Sequence, residues 1–155
     1  MKNDKYGFRD VFYVKLYDQY GSKVTELSTL TRAKLRVYAN KAVLQVRDPL
    51  LDENLLGFIS GQDTKQNNIT DFALERNSTL INFKAKGEIE CKIIAYSYIR
   101  HYQTGEDQKI AFIMNNCKVD RQFDFCGQFE GPPSTFNISF EIMPDESGNL
   151  FQLKM

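Results

Sequence analysis

Hydrophobic and polar residues alternate along much of this chain, the period-two mark of strands with one dry and one wet face. Phe136, Ile138, Phe140 and Ile142 alternate with Asn137, Ser139 and Glu141. The turn before them, Gly131-Pro132-Pro133-Ser134, fixes the backbone and cannot continue a ladder, so a rigid corner launches an amphipathic strand. A second strand, 150–155, closes the chain after the turn residues 145–148. Near the start, Phe12, Val14 and Leu16 face one way and Tyr13, Lys15 and Tyr17 the other, predicting a strand over 11–18. Residues 19–22 read as a turn and 23–30 as the hairpin partner. Leu35, Val37 and Ala39 alternate with Lys34, Arg36 and Tyr38, and Asn40-Lys41 interrupts before a strand over 43–47. Residues 1–9 are polar and read as a loose arm.

The period then changes. Asp48 suits a helix N-cap and Pro49 the first helical position. Leu51, Leu55, Phe58 and Ile59 form one apolar face, and Gly61 is a natural stop, predicting a helix over 49–60. Residues 62–68 read as a polar surface loop, and the pattern over 69–74 does not decide between strand and helical turn. From Leu80 the alternation returns: Phe83, Ala85, Ile89, Cys91 and Ile93 against Lys84, Lys86, Glu88, Glu90 and Lys92. Residues 96–102 extend that strand into a hairpin turn over 103–107, and 110–114 and 118–127 return. About seven to nine strands with one helix predict a mainly β (α+β) fold, an antiparallel β-sandwich or barrel with a flanking helix.

Composition narrows the function classes. A chain of 155 residues fits a single domain with a real core. Twenty basic and twenty acidic side chains cancel, which argues against a dedicated nucleic-acid binder. The three cysteines, Cys91, Cys117 and Cys126, are widely spaced and odd in number, which predicts reduced thiols rather than a disulfide framework. No segment is apolar and long enough to span a bilayer, so no membrane anchor is expected.

Candidate chemistry is sparse. The only histidine, His101, lies beside Arg100 and Tyr102 with no oriented partner in view, and reads as structural. Asp48, Asp52 and Glu53 could hold a hard cation, but N-capping explains them at less cost. No nucleophile elbow or phosphate loop is present. No catalytic, cofactor or metal residue is therefore assigned, and no enzyme is expected. The stripe Lys84, Lys86, Glu88, Glu90, Lys92 is either a solvated strand face or a polar wall that lines a pore or meets a neighbouring subunit. Tyr96, Tyr98 and Tyr102 suit a strand or an interface equally.

Three blocks in order resemble the tail tube (major tail) proteins of long-tailed bacteriophages. Residues 47–61, Arg-Asp-Pro-Leu-Leu-Asp-Glu-Asn-Leu-Leu-Gly-Phe-Ile-Ser-Gly, resemble that family's helix. Residues 98–107 with 110–114 are similar to its polar hairpin and next strand. Residues 130–136, Glu-Gly-Pro-Pro-Ser-Thr-Phe, with 149–154 resemble its C-terminal end. Two departures, the missing Gly-rich loop near residues 38–42 and the short stretch between the helix and Leu80, leave room for a tube-like ring protein at the baseplate or tail end.

The resemblance implies a β-sandwich or barrel protomer, six to a ring, whose rings stack into a hollow tube in the virion through which DNA passes without specific binding. It implies partners: further copies of the chain and other tail proteins (baseplate, terminator, tape measure, sheath). On that reading Asp48, Pro49, Leu51, Leu55, Phe58 and Ile59 dock the helix, and Gly131, Pro132, Pro133, Phe136, Ile138 and Phe140 build the C-terminal corner and strand. Lys84, Lys86, Glu88, Glu90, Lys92, Arg100, Glu106 and Asp107 become candidates for lumen or interface. The reading of another class is a monomeric small-ligand β-barrel with a pocket of Phe and Tyr.

Overall fold

A computed structural model describes residues 4–28, 30, 32–48, 52–61, 67–69, 78–85, 88–120 and 136–155. Among the described residues eleven strands and one helix follow in chain order: β1 Tyr6–Phe8, β2 Tyr13–Asp18, β3 Lys23–Leu27, β4 Arg32–Val37, β5 Ala42–Asp48, α1 Glu53–Ile59, β6 Asn67–Ile69, β7 Ser78–Leu80, β8 Ile89–His101, β9 Asp107–Asp120, β10 Phe136–Ile142 and β11 Gln152–Lys154. Nine strands form one antiparallel sheet in the order β3-β2-β8-β9-β10-β5-β4, with β1 also on β8 and β11 also on β9. β6 and β7 pair separately. The mainly β class expected from the alternation is the observed one. No helix among the described residues is long and apolar enough to cross a membrane.

The sheet is forced to coil. Its two end strands, β3 and β4, are neighbours in sequence, five residues apart from Leu27 to Arg32. Five residues reach at most ~18 Å. The edges of a flat sheet of seven strands would stand ~29 Å apart. Only a curled sheet satisfies both. The curl encloses one row of apolar side chains that runs across strands in register: Val14 opposite Ala95, Leu16 opposite Ile93, Ile93 opposite Met114, Val119 opposite Phe140, Phe140 opposite Leu44. Every one of these side chains is buried.

A bulge keeps that row continuous. On β9 the buried positions are Ile110, Phe112 and Met114, then Cys117 and Val119, a switch from even to odd. Cys91 pairs with Cys117 and Ile93 with Met114, so β9 holds one residue more than β8 across this interval. That extra residue re-phases the strand and raises its local bend. The Asn116 side-chain amide secures the bulge by donating to the Pro144 carbonyl at 2.9 Å, while the Asn116 backbone carbonyl accepts from Met143 N at 2.9 Å. Residues 110–114 and 118–120, which read as separate pieces, are therefore one strand; 121–127 lie outside the described residues.

The helix is shorter than its pattern predicted and starts later. Asp48 is the last residue of β5, opposite Phe136, and does not cap the helix. The cap is Asp52, whose carboxylate accepts from Leu55 N at 2.6 Å and from the Thr25 hydroxyl of β3. Asp52 thus stitches the helix start to the sheet edge. Leu55 and Ile59 are fully buried and Phe58 packs beside them, so the docking face is as expected for these three. Pro49 and Leu51 lie outside the described residues. Gly61 ends the helix in the left-handed region at φ 79°, as its position suggested.

Other departures are local. Tyr6–Phe8 is not part of a loose arm but pairs with β8 from His101 to Ile99. Between β1 and β2 the chain leaves the ladder, and the buried Ser97 hydroxyl donates to the Arg9 carbonyl left there. Asn67 and Asn68 sit in β6 rather than at a loop tip, and 62–66 lie outside the described residues. Phe12 is 37% exposed, so it does not share the burial of Val14 and Leu16.

Candidate functional site

The described residues offer three surfaces: the outer face of the sheet, the end of the β8–β9 hairpin, and the free edges β3 and β4. The expected charged stripe is not one strand face. Lys84 and Glu88 precede β8, Lys86 lies outside the described residues, and only Glu90 and Lys92 stand on β8 itself. The segment 81–85 is fixed instead by Lys84 N, which donates to the Ser60 carbonyl at 2.9 Å. Glu88 reaches Lys118 on β9 at 2.9 Å and holds that lysine's pKa above its ordinary value.

The hairpin end does bring its three expected residues together. Arg100 pairs with Asp107 in register and donates to both carboxylate oxygens, at 2.8 and 3.0 Å. Those hydrogen bonds hold the Asp107 carboxyl below the usual carboxylate range, with Arg9 adding to the attraction at 4.0 Å. Glu106 supplies the carbonyl that accepts from His101 N at 2.9 Å and is exposed. His101 organises the turn: Nδ1 accepts from Gln103 N at 3.2 Å and Thr104 N at 3.1 Å, and Nε2 lies 3.4 Å from Asp4. With Nδ1 accepting, the ring proton sits on Nε2 and faces Asp4. These contacts give His101 a structural task, closing the turn at Gly105, whose φ is 72°.

The Arg100–Asp107 pair sets a pH dependence whose sign follows from the depressed carboxyl. Its stabilising effect is fully present above the ordinary carboxylate range, about pH 4, and is lost as pH falls through the lowered folded value. Asp107→Asn is expected to lower the melting temperature slightly at pH 7. The gap to the native chain should close as pH drops toward about 3. Melting curves across pH check this; a constant gap would show that the loss is not electrostatic.

Tyrosines line the outer face. Tyr13 and Tyr96 sit in cross-strand register with ring centroids 5.7 Å apart. Lys109 and Lys15 lie over the Tyr96 ring, 4.5 and 5.5 Å from its centre, a cation–π arrangement. Tyr13 hydrogen-bonds Glu26, which together with burial pushes its pKa up to about 12. Glu26 is held below its usual value first by Lys23 and then by Tyr13. Phe12 stacks on Tyr98 at 4.8 Å, and Phe8 beside them is 65% exposed. The tyrosines thus face outward, whereas the only described aromatic rings in the core are Phe112 and Phe140.

Inside, Cys91 and Cys117 are free thiols opposite each other across β8 and β9, both buried. The neighbouring Cys117 thiol and burial raise the Cys91 pKa, which makes it a core group rather than a nucleophile. Gly131, Pro132 and Pro133 lie outside the described residues; Phe136 opens β10, and Ile138 and Phe140 are buried as expected.

Sequence reading missed one feature. Lys34 and Arg36 on β4, Gln45 and Arg47 on β5, and Asn137 and Ser139 on β10 line a shallow groove of about 320 Å³ on the outer face. The basic residues of β4 are visible at every second position of the sequence. Their meeting with Asn137, about a hundred residues on, depends on the β4–β5 and β5–β10 pairings. No protein-family model and no curated protein matches this chain.

Proposed function

We propose that this chain is a structural subunit of a bacteriophage tail: a tail tube protein that builds rings, six to a ring, stacked around a conduit for DNA. The reading places it in the virion, with further copies of itself and other tail proteins (baseplate, terminator, tape measure, sheath) as partners, and gives it no catalytic task. The observation that carries it is the pair of strand edges without a strand partner, β4 and β3, of which β3 is joined to the start of α1 through Asp52 and Thr25. Among the described residues nothing pairs with the outer side of β3 or β4. An exposed edge is a template for another strand, and soluble monomers blunt it or cover it. Here β4 ends in Val37, 57% exposed, and Tyr38, 47% exposed, follows it in the turn to β5. A ring in which each copy pairs an edge with the next removes these edges, and a repeated head-to-tail contact along the axis builds a tube.

Two further features support this reading. The long β8–β9 hairpin, locked by Arg100, Asp107 and His101, projects a rigid polar end suited to contact between rings. Among the described residues the interior is mainly aliphatic, with Leu16, Leu44, Ile93, Ile99 and Met114 fully buried beside Phe112 and Phe140, and the tyrosines of an aromatic ligand pocket lie on the outside. Negative-stain electron microscopy of the concentrated protein tests the proposal. Stacked tubes are expected; discrete rings would move the assignment to a ring at the baseplate or tail end. Particles of single-subunit size at every concentration, with or without a tail fraction as nucleus, would refute it.

A further inference from the structure

We propose that the groove across β4, β5 and β10 is a phosphate-binding site. Three cross-strand rows converge on it. Lys34 stands opposite Gln45, which stands opposite Ser139 on the other side; Arg47 stands opposite Asn137, with Arg32 at its other flank; Arg36 stands opposite Val43. Lys34, Arg36, Gln45, Arg47, Asn137 and Ser139 point to the outer face, since Ala42, Leu44, Val46, Ile138 and Phe140 between them are buried. The chain as a whole is neutral, with twenty cations and twenty anions, so three cations around one groove are a local concentration of charge.

Two of these cations, Lys34 and Arg36, are not used up by the fold. Among the described residues Lys34 and Arg36 have no carboxylate partner. Arg47 is oriented by its Nε, which donates to Asn137 Oδ1 at 3.1 Å. Two carboxylates flank the groove. Glu141 is engaged by Lys41 at 3.7 Å, and Asp120 stands opposite Ser139 at the far rim. The lining therefore combines the Arg36 guanidinium fork, the Lys34 ammonium, and amide and hydroxyl donors from Gln45, Asn137 and Ser139 beside Arg47. That is the donor set that recognises a phosphate group by charge-assisted, bidentate hydrogen bonds. A carboxylate ligand would use the same forks, but the number of convergent donors matches a phosphate's larger set of acceptor oxygens better.

The site does not depend on the tube assignment, because it is built within one copy of the chain. The test uses the full-length protein and inorganic pyrophosphate at low salt. Amide chemical shifts are expected to move saturably at residues 34–36, 45–47 and 137–139, and binding should weaken as salt rises. Lys34→Ala with Arg36→Ala is expected to weaken binding about tenfold or more. Lys15→Ala with Lys109→Ala, which removes the same charge from the outer face elsewhere, should leave it unchanged.

Competition by a short single-stranded DNA for the bound pyrophosphate would assign the phosphate to a nucleic-acid backbone. A bound pyrophosphate that the DNA fails to displace would assign it to a free or small-molecule phosphate. The proposal is overturned if shifts do not saturate by about 10 mM pyrophosphate, or if both double variants lose binding equally.

Discussion

Phe140→Asp is expected to leave no soluble folded protein. Phe140 is fully buried at the middle of β10, opposite Leu44 of β5 on one side and Val119 of β9 on the other. It joins the two halves of the curled sheet, since β10 is the strand between β9 and β5. Removing the ring alone would cost about 3–5 kcal/mol. A carboxylate in its place must either stay charged without a partner or take up a proton, at a further cost of several kcal/mol. A domain stable by about 5–15 kcal/mol does not survive that sum. Ser139→Asp, one residue away on the outer face, should fold. Circular dichroism and soluble yield of the two variants check the assignment; a folded Phe140→Asp would mean that the inner row is not the core.

The second large effect concerns assembly. Val37→Lys with Tyr38→Lys is expected to abolish ring and tube formation while the fold persists. Both side chains are exposed at the hairpin end of the edge strand, so two ammonium groups there need no desolvation in the free subunit. Surface changes of this kind usually stay within about 0.5 kcal/mol each. Against an approaching strand they act as lysines do on natural sheet edges, by making the paired state pay for burying charge. A penalty of about 1.4 kcal/mol at each contact raises the concentration needed for assembly tenfold, and the repetition of contacts around a ring multiplies it. Sedimentation with a parallel thermal melt measures both halves. A variant that assembles at the native concentration would show that β4 is not the contact edge.

The strands themselves were legible because their side chains face two different media. Alternation marked β2, β5 and β10 within a residue or two and the far end of β8 but not its start, and the turn at 103–107 fell where the Arg100–Asp107 pair closes the hairpin. What escaped was set by partners distant in sequence. Asp48 and Asp52 are both good caps locally; the sheet decides between them, because Asp48 is held in β5 by Phe136 while Asp52 meets the Thr25 hydroxyl. Tyr6–Phe8 looks polar and loose in isolation, yet β8 is long enough to pair with it beyond the end of β2. The charged alternation from Lys84 to Lys92 imitated one strand, but Lys84 and Glu88 lie outside β8, and Lys84 is anchored to the helix end at Ser60.

The candidate surfaces divide in the same way. The hairpin end could be read directly, since Arg100, Glu106 and Asp107 are close in sequence. The groove could not, since Lys34, Arg47 and Asn137 are neighbours only through strand order. The parity switch from Met114 to Cys117 was visible, but whether it marked a turn or a bulge depended on the uninterrupted pairing with β8.

A cryo-electron microscopy reconstruction of the native particle that contains this chain tests the central claim most directly. The account predicts density for a strand of an adjacent copy hydrogen-bonded along β3 or β4, repeated around a closed ring. Both edges facing solvent, in a chain with no second copy beside it, would contradict it.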